Sequence, residues 1–216
     1  LSRRGIISST NENLLKIMVS NGVHDEDGDG EYVDINYPVS VIGESREHCI
    51  VIGGLRMIGE EEDDVNVSNL TLRDSKGNGV RGQYGASFHL DNVSVENSGS
   101  SGVCVFGNRR STMQNCNVSH SKWSGLYVWD GLMTIDGKAT TIHQNGTSGD
   151  GDDYGLLTED SSSSIHLVSP LTKETISTNN GDGKNYGGRG TIKSVDKDGN
   201  LLEVVYEGQD EDFDDY

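Results

Sequence analysis

Phe106 and Trp129 lie 23 residues apart, Tyr127 stands two positions before Trp129, and Asp130 and Glu159 follow. On one face these five side chains would suit a sugar. Aromatic rings stack on the C–H face of a pyranose, and carboxylates accept hydrogen bonds from its hydroxyls. A seven-residue acidic stretch, residues 147–153, would bring Asp150, Asp152 and Asp153 to the border of that face. The competing expectation is that this stretch folds over the rings and makes a small satellite core.

A second chemistry is cation binding. Asp25, Asp27 and Asp29 alternate with Glu26, Gly28 and Gly30, which matches the first half of an EF-hand loop. Alternate carboxylates converge on a hard cation such as calcium when glycine lets the loop turn. The twelfth position is Asn36 rather than Glu, and the flanks read as strands, so the expectation is a loop calcium site and not an EF-hand. Asp150, Asp152 and Asp153 form a second calcium candidate, against the plainer reading of a solvated acidic loop. Asp196, Asp198, Gly199 and Asn200 read as hairpin-turn chemistry. His120 and His143 fall near each other but one position out of register, so turn histidines are expected. Cys49, Cys104 and Cys116 show no zinc spacing and read as buried thiols. No Ser-His-Asp order, phosphate loop or dinucleotide motif stands out.

The elements that position these groups follow from composition. The chain has 216 residues with 17 Lys+Arg and 35 Asp+Glu, a formal charge of −18. That argues against a nucleic-acid partner, which needs a basic face, and against anionic membranes. No apolar run approaches the roughly 20 residues of a membrane-spanning helix. The opening Leu-Ser-Arg-Arg shows no apolar signal core. Only 32% of residues are hydrophobic, yet Gly is 29 and Pro only 2. Such a balance suits many short strands joined by tight turns.

An internal repeat makes the strands explicit. NLTLRDSKGNGVRGQ from Asn69, NVSVENSGSSGVCVF from Asn92 and NCNVSHSKWSGLYVW from Asn115 align without gaps, 23 residues apart. Ser75, Ser98 and Ser121 coincide, as do Gly79, Gly102 and Gly125. Apolar residues alternate with polar ones, the period of a strand. Leu70, Leu72, Val93, Val95, Cys116 and Val118 should point inward, and Thr71, Ser94 and Asn117 outward. After the shared glycine, Val80, Val103, Val105, Leu126 and Val128 again point inward. Each repeat thus carries about three short strands and can bury its apolar side only by stacking on copies of itself.

The pattern resembles the right-handed parallel β-helix family, the pectate-lyase-like superfold. The aligned Asn69, Asn92 and Asn115 look like that family's asparagine ladder, and residues 38–44 resemble its early coils. The resemblance implies an all-β solenoid of roughly eight coils. It also makes an enzyme available. β-Helix pectate lyases hold calcium with Asp and Glu and use Arg or Lys as the base, roles that would fall to Asp130, Glu159 and Arg189. This chain departs from them: it is shorter, no second basic residue lines up to hold a uronate, and the epimerases' Asp-Pro-His-Asp-type motif is missing. An acidic face also repels an anionic polymer unless metal intervenes.

Further strands are expected at residues 14–19, 32–35, 39–42, 49–52 and 55–58, then at 132–135, 139–142, 155–159, 164–168 and 175–177. Residues 1–64 are read as an N-terminal cap and irregular early coils. Residues 65–206 hold the regular and late coils and a closing hairpin, and 207–216 are an acidic tail. Two outward columns are expected on the strand after the glycine: Arg81, Cys104, Tyr127, Leu157, Arg189 and Gln83, Phe106, Trp129, Glu159, Thr191. A non-enzymatic surface module that binds a glycan is the leading expectation. A small polysaccharide lyase or epimerase, and an assembly protein docking its rings on another chain, are the alternatives.

Overall fold

A computed structural model describes residues 14–25, 30–60, 63–149 and 152–202. The chain winds as a β-solenoid with three parallel sheets. The first sheet has eight strands: Leu15–Val19, Val39–Gly43, Asp64–Ser68, Ser87–Asp91, Ser111–Gln114, Leu132–Asp136, Ser164–Val168 and Thr191–Val195. The second has seven, from Gly22–His24 through Cys49–Ile52, Thr71–Arg73, Ser94–Glu96, Asn117–Ser119 and Thr141–His143 to Ser177–Thr178. The third also has seven, namely Tyr32–Ile35, Gly54–Ile58, Val80–Gln83, Val103–Phe106, Leu126–Trp129, Leu156–Thr158 and Tyr186–Gly188. That makes about seven turns. Among the described residues no helix is long and apolar enough to cross a membrane.

The repeat sets the register. Val95 pairs with Leu72 on one side and Val118 on the other, and Val118 continues to Ile142. All the expected inward residues are buried, and one core cluster runs the length of the solenoid. The shared glycine is a packing requirement. A Cβ on Gly102 would overlap Cγ1 of Val118, and one on Gly79 would overlap Cγ1 of Val95. The second sheet's valines therefore sit where these glycines leave room.

The corners require left-handed backbone. Asn69, Asn92 and Asn115 have φ of 55°, 54° and 51° where the first sheet turns into the second. Asn and Asp tolerate this region because short polar side chains bond locally. Asn92 Nδ2 donates to Asn69 Oδ1 at 2.9 Å, one rung of the expected ladder. The next corner holds Asp74, Asn97, His120, Gln144 and Asn179, all with positive φ. His120 is thus a corner residue, its ring edge-on to that of His143.

A second ladder lies inside. The buried Ser75, Ser98 and Ser121 continue into Asn145 and Asn180. Asn145 Oδ1 accepts from Ser121 N, and Asn180 Oδ1 accepts from both Asn145 N and Asn145 Nδ2, each at 3.0 Å. Spacing along this column grows from 24 residues to 35 at the last step, so counting in 23s does not reveal it.

Three local expectations need correction. Residues 175–177 are not a strand: Lys173–Ile176 is a single helical turn with a Thr172–Thr175 capping box, and only Ser177–Thr178 joins the second sheet. Residues 191–195 are the last rung of the first sheet, paired with Ser164–Val168, as well as one arm of the expected hairpin. The turn itself forms, with an antiparallel bridge from Val195 to Leu201; residues 203–216, including the acidic tail, lie outside the described residues.

The third correction concerns the outward positions of the second sheet. Thr71 and Ser94 point away from the core yet are only 4% and 5% exposed. The turn at 45–48 lies against this face: Thr71 Oγ1 donates to Arg46 O, and Arg46 Nη1 reaches Asn115 O. Ser94 Oγ donates to Glu96 Oε1 at 2.8 Å and accepts from Asn117 Nδ2. Ser94→Asp is therefore expected to cost about 1–2 kcal/mol, because a covered carboxylate would face Glu96 and lose the hydroxyl donor. Urea unfolding checks this; a midpoint equal to wild type would show that the 45–48 turn leaves the face open.

Candidate functional site

The site is built where the third sheet turns back into the first. Strands Val103–Phe106 and Leu126–Trp129 pair in register, which sets Cys104 beside Tyr127 and Phe106 beside Trp129. Parallel pairing at about 4.8 Å per coil brings rings 23 residues apart into contact. The Phe106 and Trp129 rings meet edge to face, with centroids 4.6 Å apart and planes at 74°. Trp129 is 43% exposed, so the acidic insertion does not cover it.

The corner beyond these strands carries Tyr84, Gly107 and Asp130 on successive coils, with φ of 61°, 74° and 48°. A bulky residue in this region is strained, and such strain concentrates where it serves a function. Tyr84 is 74% exposed. A hollow of about 450 Å³ opens here, lined by Glu60, Tyr84, Gly85, Phe106, Asn108 and Arg109. Arg109 Nη2 lies 3.3 Å from Asp130 Oδ1, which also accepts from Ser162 Oγ at 2.8 Å. Asp130 is thus held in place beside Arg109.

Electrostatics separate the polar groups. Burial, then the charge of Glu159, pushes the Tyr127 phenol up to about 12. It stays protonated at neutral pH and available as a donor. Burial pushes the Cys104 thiol up to about 11, so it is neutral and unreactive there. Hydrogen bonds from Ser162 and Ser163 lower Asp160, which remains ionised.

The expected residues are partly brought together. Phe106, Tyr127, Trp129, Asp130 and Glu159 share one region of the third sheet and its corner. Arg189 sits in a different column from the expected one. Leu157 pairs with Gly187 and Thr158 with Gly188, which puts Arg189 next to Glu159. Thr191 leaves the column altogether for the first sheet. The second glycine-rich insertion hid this two-residue difference. Arg189, Glu159 and Asp130 are all exposed, and among the described residues no ion pair joins them.

The loop acids stand elsewhere. The insertion sits at the corner before the third sheet, where Ser148 N donates to Lys122 O and Ser148 Oγ to Asp153 Oδ2. Trp129 is at the other end of its strand, about 10 Å further on. Asp152 and Asp153 therefore do not border the rings. Asp27, Asp29 and Asp150 lie outside the described residues, and Asp25 is exposed. Among the described residues no three His, Cys, Asp or Glu side chains are grouped to hold a metal ion.

Sequence reasoning missed Tyr84 and Arg109. Both belong to the corner, where the alternation of a strand no longer predicts direction. One signal was legible: Tyr84 precedes Gly85 and sits 23 residues before Gly107, hence at a turn. The model of a family described as a right handed beta helix region matches residues 45–198, and the chain belongs to that family. No curated protein and no solved structure matches the chain.

Proposed function

We propose that the corner between the third and first sheets binds a carbohydrate without turning it over. The observation that carries this reading is the pair of rings Tyr84 and Phe106 lining a hollow of about 450 Å³, with the exposed Trp129 edge-on against Phe106 beside it. Tyr84 and Trp129 are exposed, and Arg109, which lines the hollow and pairs with Asp130, supplies a donor there. Pockets of this volume suit ligands of one or a few sugar rings. The hydrophobic gain comes from covering the exposed faces of Tyr84 and Trp129, and the polar pair orients the hydroxyls.

Trp129→Ala is expected to weaken glycan binding about tenfold, at 1.4 kcal/mol per decade. Stacking of a ligand ring on an aromatic contributes about 1–3 kcal/mol in nucleic-acid sites, and a sugar should gain no more. The loss of the edge-to-face contact with Phe106 is about 0.5–1.5 kcal/mol. The melting temperature should therefore fall only a few degrees. A glycan array with calcium and with chelator, followed by titration calorimetry of both proteins, checks this. Trp129 fluorescence in a Trp123→Phe background should be red-shifted and quenched by iodide; blue, unquenched emission would remove the platform.

A further inference from the structure

One end of the solenoid leaves its core uncovered. Leu15–Val19, Gly22–His24 and Tyr32–Ile35 are the outermost strands of the three sheets at that end. Leu15 pairs with Val39, Ile17 with Val41 and Val33 with Leu55, so all three stand in the inward columns. Val39 and Leu55 are buried, yet Leu15 is 56% exposed, Ile17 41% and Val33 42%. Inward residues keep that exposure only where no further coil stacks on them. Met18 and Val23 add apolar surface on the same coil. Strand edges around an apolar centre are a template for another chain.

The occupant that fits is a second copy of this chain. The preceding residues do not supply another apolar rung. Counting back from Leu15 as Ile35 and Val33 precede Val39 reaches Asn11 and Ser9, inside the polar run Ser8 to Asn13. The opposite end is closed: Val195 bridges to Leu201, and Leu202 N donates to Ser194 O, so the last edge of the first sheet is engaged. Head-to-tail growth is blocked there, whereas two open ends can face each other across a two-fold axis with their edges antiparallel. One coil runs from Leu15 to its register partner Val39, which matches the roughly 20–30 residues that a standard interface uses on each side. Two acids of this coil are already neutralised: Glu31 lies 3.8 Å from Lys76, and Asp34 accepts two hydrogen bonds from Arg56.

We propose that the first coil is a self-association surface that pairs two copies of this chain head to head. It is independent of the carbohydrate reading. Sedimentation velocity of the full chain, from low to high micromolar concentration, should show the mass rise from one chain to two and no further. Ile17→Lys should dimerise about a hundredfold more weakly, because the substitution occurs twice across the two-fold. Leu201→Lys, an exposed position at the closed end, should dimerise like wild type. Added salt should tighten the dimer, since it screens the −18 on each copy. Amide exchange needs no variant: residues 15–19 and 32–35 should exchange more slowly at high protein concentration than at low. Where Ile17→Lys does not fold, that measurement decides alone. A monomer at every concentration overturns the proposal, and slow exchange of the first rung in such a monomer would assign its cover to residues 1–13. Equal dimers in wild type and folded Ile17→Lys, loss of the dimer in Leu201→Lys or Trp129→Ala, an open-ended mass series, or a dimer that salt dissociates overturn it as well.

Discussion

Val118→Asp is expected to abolish the folded domain. Val118 is fully buried in the second sheet between Val95 and Ile142, and its Cγ1 fills the space that Gly102 leaves open. A carboxylate there would meet neither water nor a partner. Burying an unpaired charge costs several kcal/mol even after relaxation, against a total stability of about 5–15 kcal/mol for a typical domain. Each coil rests on its neighbours, so a broken rung withdraws support from the coils on either side. The expected result is insoluble protein or a circular-dichroism melt without a cooperative transition. Thr141→Asp, an exposed outward position in the adjacent coil, should stay within about 1 kcal/mol of wild type. A cooperative wild-type melt for Val118→Asp, or an equal collapse for Thr141→Asp, would show that the inward and outward columns are misassigned.

The second large effect falls on the internal amide ladder. Asn180 is fully buried; its Nδ2 faces Ile142 O, Thr178 O and Ser177 Oγ, and its Oδ1 accepts both donors of Asn145. Leucine is of similar size but strands Asn145 N and removes the donor facing Ile142 O and Thr178 O, while Asn145 Nδ2 keeps Val118 O and His143 O and Ser177 Oγ keeps Asn185 O. With about 1–3 kcal/mol for each buried group stranded, Asn180→Leu should cost about 3–5 kcal/mol. At about 2–4 °C per kcal/mol for a chain of this length, the melting temperature should drop by roughly 10 °C or more. Asn92→Leu, at the half-buried corner, breaks the side-chain bond to Asn69 and strains one backbone position. It should cost only about 1–2 kcal/mol. Thermal melts of the two variants side by side check the order, and equal losses would mean that the internal column carries no special weight.

The contrast between these two asparagines shows what the sequence makes legible. Asn69, Asn92 and Asn115 recur at a fixed 23-residue spacing, so both the coil and its corner could be read directly. Strict alternation around Val95, Val103 and Leu126 likewise placed the core. Asn145 and Asn180 do the same job less visibly, because insertions stretch the interval and the column changes from serine to asparagine. The insertion before Tyr186 also shifted Arg189 and Thr191 out of their expected columns. Thr71 and Ser94 alternate as outward residues should, but alternation reports direction and not what a distant turn lays over a face. At the candidate site, Phe106, Tyr127 and Trp129 were legible as strand residues. Tyr84 was legible only as a turn residue, and the hollow it lines depends on corner geometry, which strand alternation does not encode.

The glycine-rich corner before the third sheet has a consequence for how such a molecule changes over time. Extra residues enter there, and the rungs on either side keep their pairing: Leu126 still meets Leu156, and Leu156 still meets Tyr186. Doubling the length of a flexible loop adds only about 0.6 kcal/mol of closure cost. Novel sequence can therefore be acquired at this vertex almost independently of the stacked core, whereas a single extra residue inside a strand would reverse every side chain after it. The vertex is a permissive port for grafted epitopes, reactive loops or binding peptides, held about 10 Å along the strand from the aromatic corner. A grafted segment there would share a rigid frame with that corner without competing for its surface.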